Sequence, residues 1–169
     1  MQDTGTFKVT TPTEREIVMT RDFNAPRAAI FEALTKPELV RRWLLGPPPW
    51  WMAECEIDLK AGGAFRYVWR RPEGKDMGMR GVYREVTPPE RIVNTEVFDE
   101  PWYEGEAVVT TVLEERGDRT TLTATVLYDS REIRDGVLEV GVEKGVEASY
   151  NLLAELLEQK GAAQQGATA

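Results

Sequence analysis

The chain has 169 residues, 21 of them Lys or Arg and 29 Asp or Glu, for a net charge of −8, with one cysteine and no histidine. That length suits one hydrophobic core, and the acidity argues against nucleic acid and anionic membrane surfaces as partners. Without histidine there is no Ser-His-Asp triad, no Cys-His pair and no histidine-ligated zinc, so no cofactor or metal is expected.

Cys55 has no partner for an internal disulfide. No apolar run approaches the ~20 residues of a spanning helix, and MQDTGTFKVTTPTE lacks the basic start and apolar stretch of a signal peptide. A cytoplasmic protein with small molecules or proteins as partners is expected. The polar ends, residues 1–6 and 161–169, read as flexible, and residues 7–160 read as one domain.

REIVMTRDF (15–23) alternates as a strand, with Ile17, Met19 and Phe23 on one face. NAPRAAIFEALT follows as a short helix, with Asn24 able to cap, Pro26 in the first turn, and Ile30, Phe31 and Leu34 sharing a face. Pro37 restarts helical register, and Leu39, Val40, Trp43 and Leu44 form the stripe of a second helix that Gly46 and Pro47–Pro49 end. In ECEIDL, Cys55, Ile57 and Leu59 alternate with acids. After AGGA, FRYVWR sets Phe65, Tyr67 and Trp69 against Arg66, Val68 and Arg70. PEGKD then turns the chain into MRGVYREV, PPER leads into IVNTEVF, and EAVVTTVLEERGDRTTLTATVLY reads as a further hairpin turning at ERGD. Sequential hairpins imply an antiparallel sheet. SREIRDGVLEV is helical up to Gly141, and in VEKGVEASYNLLAELLEQK the residues Val146, Ser149, Tyr150, Leu153, Leu156 and Leu157 follow the spacing of one buried helical face. An α+β fold follows, with a curved antiparallel sheet and a long helix across its concave side.

TREIVMTRDFNAPRAAIFEALTKPELVRRWL, EIDLKAGGAFRY, GVYREVTPPERIV and EKGVEASYNLLAELL occur here in the order and spacing of a known group. The chain resembles the activator of heat-shock-protein-90 ATPase homologue-like family, within the START-like (SRPBCC, Bet v 1-like) helix-grip superfamily, over roughly residues 7–160. The resemblance implies a strongly bent sheet gripping the C-terminal helix, two short helices after the first long strand, and a cavity that admits apolar or amphipathic ligands. Many members carry a tryptophan after the glycine of the last helix, whereas Gly145 here is followed by Val146.

The expected lining of such a cavity is Trp43, Trp51, Phe65, Tyr67, Trp69, Tyr83, Trp102, Tyr128, Ser149 and Leu153, because aromatic walls with a few polar groups hold apolar ligands; each ring equally suits plain core packing. Trp50 and Trp51, consecutive at a strand edge, are expected to split, one buried and one at a rim or a subunit contact. Arg66, Arg70, Arg80 and Arg84 read as a solvated face pairing with Glu54, Glu56, Asp58, Glu85 or Glu96, and the same reading makes Asp58, Glu85, Glu96, Asp99 and Glu104 surface charges. Asp58 is expected to hold the AGGA turn by accepting backbone N–H bonds.

The leading functional expectation is non-catalytic binding of a small hydrophobic or aromatic-containing molecule, in a stress-related or transport setting. Two alternatives stand beside it. A polyketide cyclase or aromatase-like enzyme would use Tyr67, Tyr83, Arg66 or a buried Glu in the same cavity. A co-chaperone role would have the chain stimulate a chaperone ATPase. A homodimer through an aromatic surface completes the partner expectations.

Overall fold

Short alternating runs joined by glycine and proline turns leave each strand one apolar face to bury, and a single sheet meets that need. The computed structural model describes residues 6–167. Its strands are β1 (Lys8–Thr10), β2 (Glu16–Phe23), β3 (Trp51–Ile57), β4 (Ala64–Arg70), β5 (Asp76–Thr87), β6 (Arg91–Phe98), β7 (Ala107–Arg116) and β8 (Arg119–Leu127). They form one curved eight-stranded sheet in the order β1-β2-β8-β7-β6-β5-β4-β3, antiparallel throughout. Helices α1 (Arg27–Thr35) and α2 (Pro37–Trp43) connect β2 to β3, while α3 (Arg131–Val140) and α4 (Val142–Ala167) follow β8.

The helix-grip expectation is met. Ser149, Tyr150, Leu153, Leu156 and Leu157 are buried along one face of α4. Gly141 takes φ 83° between α3 and α4, a left-handed conformation that side-chain-bearing residues avoid, so the helix breaks there and turns. Ser130 caps α3, its Oγ accepting from the Ile133 N–H at 3.1 Å. The α4 helix runs on to Ala167, through most of the expected tail, whereas residues 1–5 of the expected flexible N-terminus and residues 168–169 lie outside the described residues.

Three local expectations are corrected. Asn24 does not cap α1; Pro26 occupies that position in extended conformation, and the Arg27 N–H of the first turn donates instead to Glu115 Oε1 of β7 at 3.0 Å. The AGGA turn is held by backbone groups, with Gly63 N–H donating to Lys60 O and Gly62 N–H reaching across to Tyr83 O at 2.7 Å, while the Asp58 carboxylate faces Lys60 Nζ at 3.7 Å. Leu59 lies beyond the end of β3 and is exposed. A bulge between Met52 and Glu54 explains how Met52 and Cys55, three residues apart, are both buried.

Candidate functional site

The wall of the grip is built on β4 and β5. Phe65, Tyr67 and Trp69 alternate inward and are buried, their neighbouring ring centroids 5.0 and 5.7 Å apart, and Tyr83 joins them 5.3 Å from Phe65. Burial pushes the Tyr83 phenol up to about 12 and the Tyr67 phenol well above its ordinary value, so both stay protonated. Trp43, Leu153 and these rings belong to one core cluster. The Trp43 indole N–H donates to Ala33 O at 2.8 Å, that of Trp69 donates to Leu44 O at 2.7 Å, and the Gly46 N–H donates to Ser149 Oγ at 2.8 Å. The end of α2 is therefore tied both to the sheet wall and to α4.

Tyr128 is buried in a second cluster with Ile17, Met19, Ala107, Val126 and Val137. Val146, at the position where the resemblance suggests a tryptophan, is half-buried and packs against both clusters. The tryptophan pair splits as expected. Trp50 is half-buried against the core with the Arg71 guanidinium 5.3 Å over its ring, whereas Trp51 is 47% exposed under Arg70 at 5.7 Å. Trp102 is 43% exposed in the β6–β7 loop beside Phe98. Of the ten residues expected to line a cavity, the structure therefore gathers eight inside and leaves Trp51 and Trp102 outside.

The outer face carries the arginines, paired with acids as expected, though with partly different acids. Arg66 makes a two-point contact with Asp99 (3.0 and 2.6 Å) and lies 4.0 Å from Glu54; Arg80 also reaches Asp99, Arg70 pairs with Asp76 and Arg84 with Glu106. Arg66 thus faces away from the interior, outside any chemistry beneath α4. The Arg66 contact holds the Asp99 carboxyl below its ordinary value, and the Arg70 contact does the same for Asp76.

Glu96 is the correction that matters most for function. It pairs with none of the arginines. Register places it opposite Ala107 of β7, and the Arg80↔Val97 pairing sets Gly81 of β5 on its other side. Ala107 is in the buried cluster, and a Cβ at Gly81 would run into the Phe65 ring, so both neighbours face inward and Glu96 with them. Among the described residues its carboxylate makes no hydrogen bond or ion pair. Burial pushes it up to about 7, and its charge in turn helps raise the phenols of Tyr67, Tyr103, Tyr128 and Tyr150. Those phenols come from β4, the β6–β7 loop, the end of β8 and α4.

Glu96 keeps some accessible surface, as do Asn94, Val109 and Thr111 on the same strip of β6 and β7. The inward residues of the flanking strands, Met19 and Tyr67 among them, are buried. One carboxylate among phenols that do not ionise can accept a hydrogen bond or hold a cation.

Arg21, on the same inward face of β2 as Met19 and Phe23, is 1% exposed and donates from Nη1 to Asn151 Oδ1 at 2.6 Å, fastening β2 to α4. A groove of about 640 Å³ opens beside Tyr103, lined also by Val97, Trp102, Glu104 and Glu106. No helix among the described residues is long and apolar enough to cross a membrane.

The family model described as "Activator of Hsp90 ATPase homolog 1-like protein" matches residues 24–158. The chain belongs to the activator of Hsp90 ATPase homolog 1-like family. Solved structures similar to this family member include a protein from Rhodobacter sphaeroides, 31% identical over 90% of this chain and 98% of the other, with a TM-score of 0.86. Protein NE0264 from Nitrosomonas europaea is 27% identical over 90% and 99%, with a TM-score of 0.80. Among curated proteins there is no match. Glu96, Tyr103 and Tyr150, which sequence reasoning left out of the lining, fall within the span matched to the Hsp90-activator-like family.

Proposed function

We propose that this member of the activator of Hsp90 ATPase homolog 1-like family binds a small, largely apolar molecule against the concave face of its sheet beneath α4. The observation that carries the reading is the half-covered strip formed by Asn94, Glu96, Val109 and Thr111, set between the buried aromatic wall of β4 and β5 and the packed strands β2 and β8. A ligand covering the apolar part of this mixed strip, Val109 and the methyl of Thr111, gains about 25 cal/mol for each Å² of apolar surface removed from water. The family and the fold support a ligand-binding role of this kind.

A thermal-shift screen against small hydrophobic and aromatic compounds tests the proposal. A ligand at a hundred times its Kd stabilises the fold by about 2.7 kcal/mol, which for a chain of this size raises Tm by about 5–10 °C. The absence of any shift across the screen, together with a crystal structure in which side chains fill the space over Asn94 and Val109, would overturn it.

A further inference from the structure

An apolar ligand alone leaves Glu96 unexplained. A carboxylate taken out of water without a partner opposes folding whenever it is ionised, and nothing among the described residues relieves it. The nearby cation that affects the surrounding phenols, Arg21, acts on Tyr150 and is engaged by Asn151. Glu96, Ala107 and Tyr128 follow one another across β6, β7 and the residue after β8, with the Tyr103 ring 5.5 Å from that of Tyr128 and Asn94 two residues away on the same strand, and the Glu96 charge contributes to raising the phenols of Tyr67, Tyr103, Tyr128 and Tyr150. Ala107 keeps bulk from the β7 side of Glu96, while on the β5 side the Phe65 ring lies over Gly81.

We propose that the molecule bound beneath α4 carries a protonated amine, and that Glu96 receives this amine among the rings of Tyr67, Tyr103, Tyr128 and Tyr150. The inference rests on the ligand-binding reading above and names the ligand's head group. An ammonium supplies the donors that an ionised carboxylate needs, and aromatic rings attract cations through their electron-rich faces. A neutral hydroxyl donates one hydrogen bond to the carboxylate and gains no cation–π attraction, and carboxylate ligands are repelled. The net charge of −8 acts in the same direction at long range. Glu96, pushed up to about 7 while unoccupied, would ionise fully as the amine binds.

The test compares matched primary amines, alcohols and carboxylates with butyl, hexyl, octyl and phenylethyl tails, by calorimetry and thermal shift at pH 8 on the full chain and on Glu96→Gln. The wild type is expected to bind the best amine about tenfold or more tightly than its matched alcohol, with the carboxylate weakest, and Glu96→Gln is expected to bring amine and alcohol to within about twofold. Lowering the pH from 8 to 6 should weaken amine binding to the wild type by about tenfold, because Glu96 must then give up a proton, and should leave alcohol binding nearly unchanged. Alcohols or carboxylates that bind as tightly as amines, or an amine preference that survives in Glu96→Gln, overturn the amine assignment while leaving the ligand-binding reading in place. If no series binds at all, both fall. The amine-to-alcohol ratio in the wild type decides the matter even if the Gln variant is poorly folded.

Discussion

Glu96 of β6 stands directly across from Ala107 of β7 on the concave side of the sheet, a charged side chain paired with one of the smallest. Its neighbours raise its pKa to about 7 from an ordinary 4.5. The native state therefore holds a proton there that the unfolded chain has released between about pH 4.5 and 7. The stability that Glu96 contributes is complete below pH 4.5, declines as pH rises to about 7, and above that is lower by about 3 kcal/mol. Glu96→Gln should abolish this decline, so that the variant is the more stable protein at pH 8 and differs little at pH 4.5. Urea unfolding at intervals between these pH values measures it; parallel profiles for the two proteins would contradict the burial of the carboxyl group.

Asn151→Leu should cost about 1.5–3 kcal/mol, because it removes the acceptor that Arg21 Nη1 reaches at 2.6 Å within the core. The same bond joins β2 to α4, so amide hydrogen exchange along the middle of α4 should quicken more than exchange in β4 and β5. Uniform loosening of the whole chain would show that the bond does not pin the helix.

Gly81→Ala should destabilise the fold by about 1–3 kcal/mol. The added Cβ would meet the Thr95 carbonyl oxygen and the Phe65 ring, and the backbone oxygen cannot move aside without disturbing the β5–β6 ladder. Ala substituted at Gly62, which meets nothing but sits at φ 87°, should cost about 1 kcal/mol for a conformational reason alone. Chemical denaturation midpoints of the two variants separate crowding from backbone strain.

Cys55 should resist alkylation in the native protein. It is buried, and desolvation pushes its thiol up to about 11, so little thiolate exists at pH 8. Mass spectrometry after iodoacetamide should find the native chain unmodified and the urea-unfolded chain carrying one adduct. Rapid native modification would mean that β3 opens readily at the sheet edge.

Local chemistry made most of the fold legible in advance. The period-two runs of β2, β4 and β8, the apolar face of α4 and the break at Gly141 are all set by side chains within a few residues of one another. For that reason they could be read directly, and the resemblance added the grip of sheet on helix. The split between Trp50 and Trp51 was also legible, since consecutive strand residues point to opposite sides. The role of Asp58 was missed because backbone groups hold its turn, and the cap of α1 because the Arg27 N–H is met by Glu115, far away in sequence.

Glu96 marks the limit of such reading. IVNTEVF offers β-branched or apolar residues on both of its alternating faces, so the sequence of β6 by itself does not say whether Asn94 and Glu96 or Val93 and Thr95 turn inward. Pairing with β7 and the register shift on β5 between Tyr83 and Glu85 decide it, through hydrogen bonds to strands distant in sequence. Asp99 gathering both Arg66 and Arg80 is a product of the same long-range pairing. The sequence by itself determined the elements, the turns and the apolar faces, because those depend on near neighbours. Only the tertiary structure decided which acid stands inside, because a strand's inward face is chosen by its partners across the sheet.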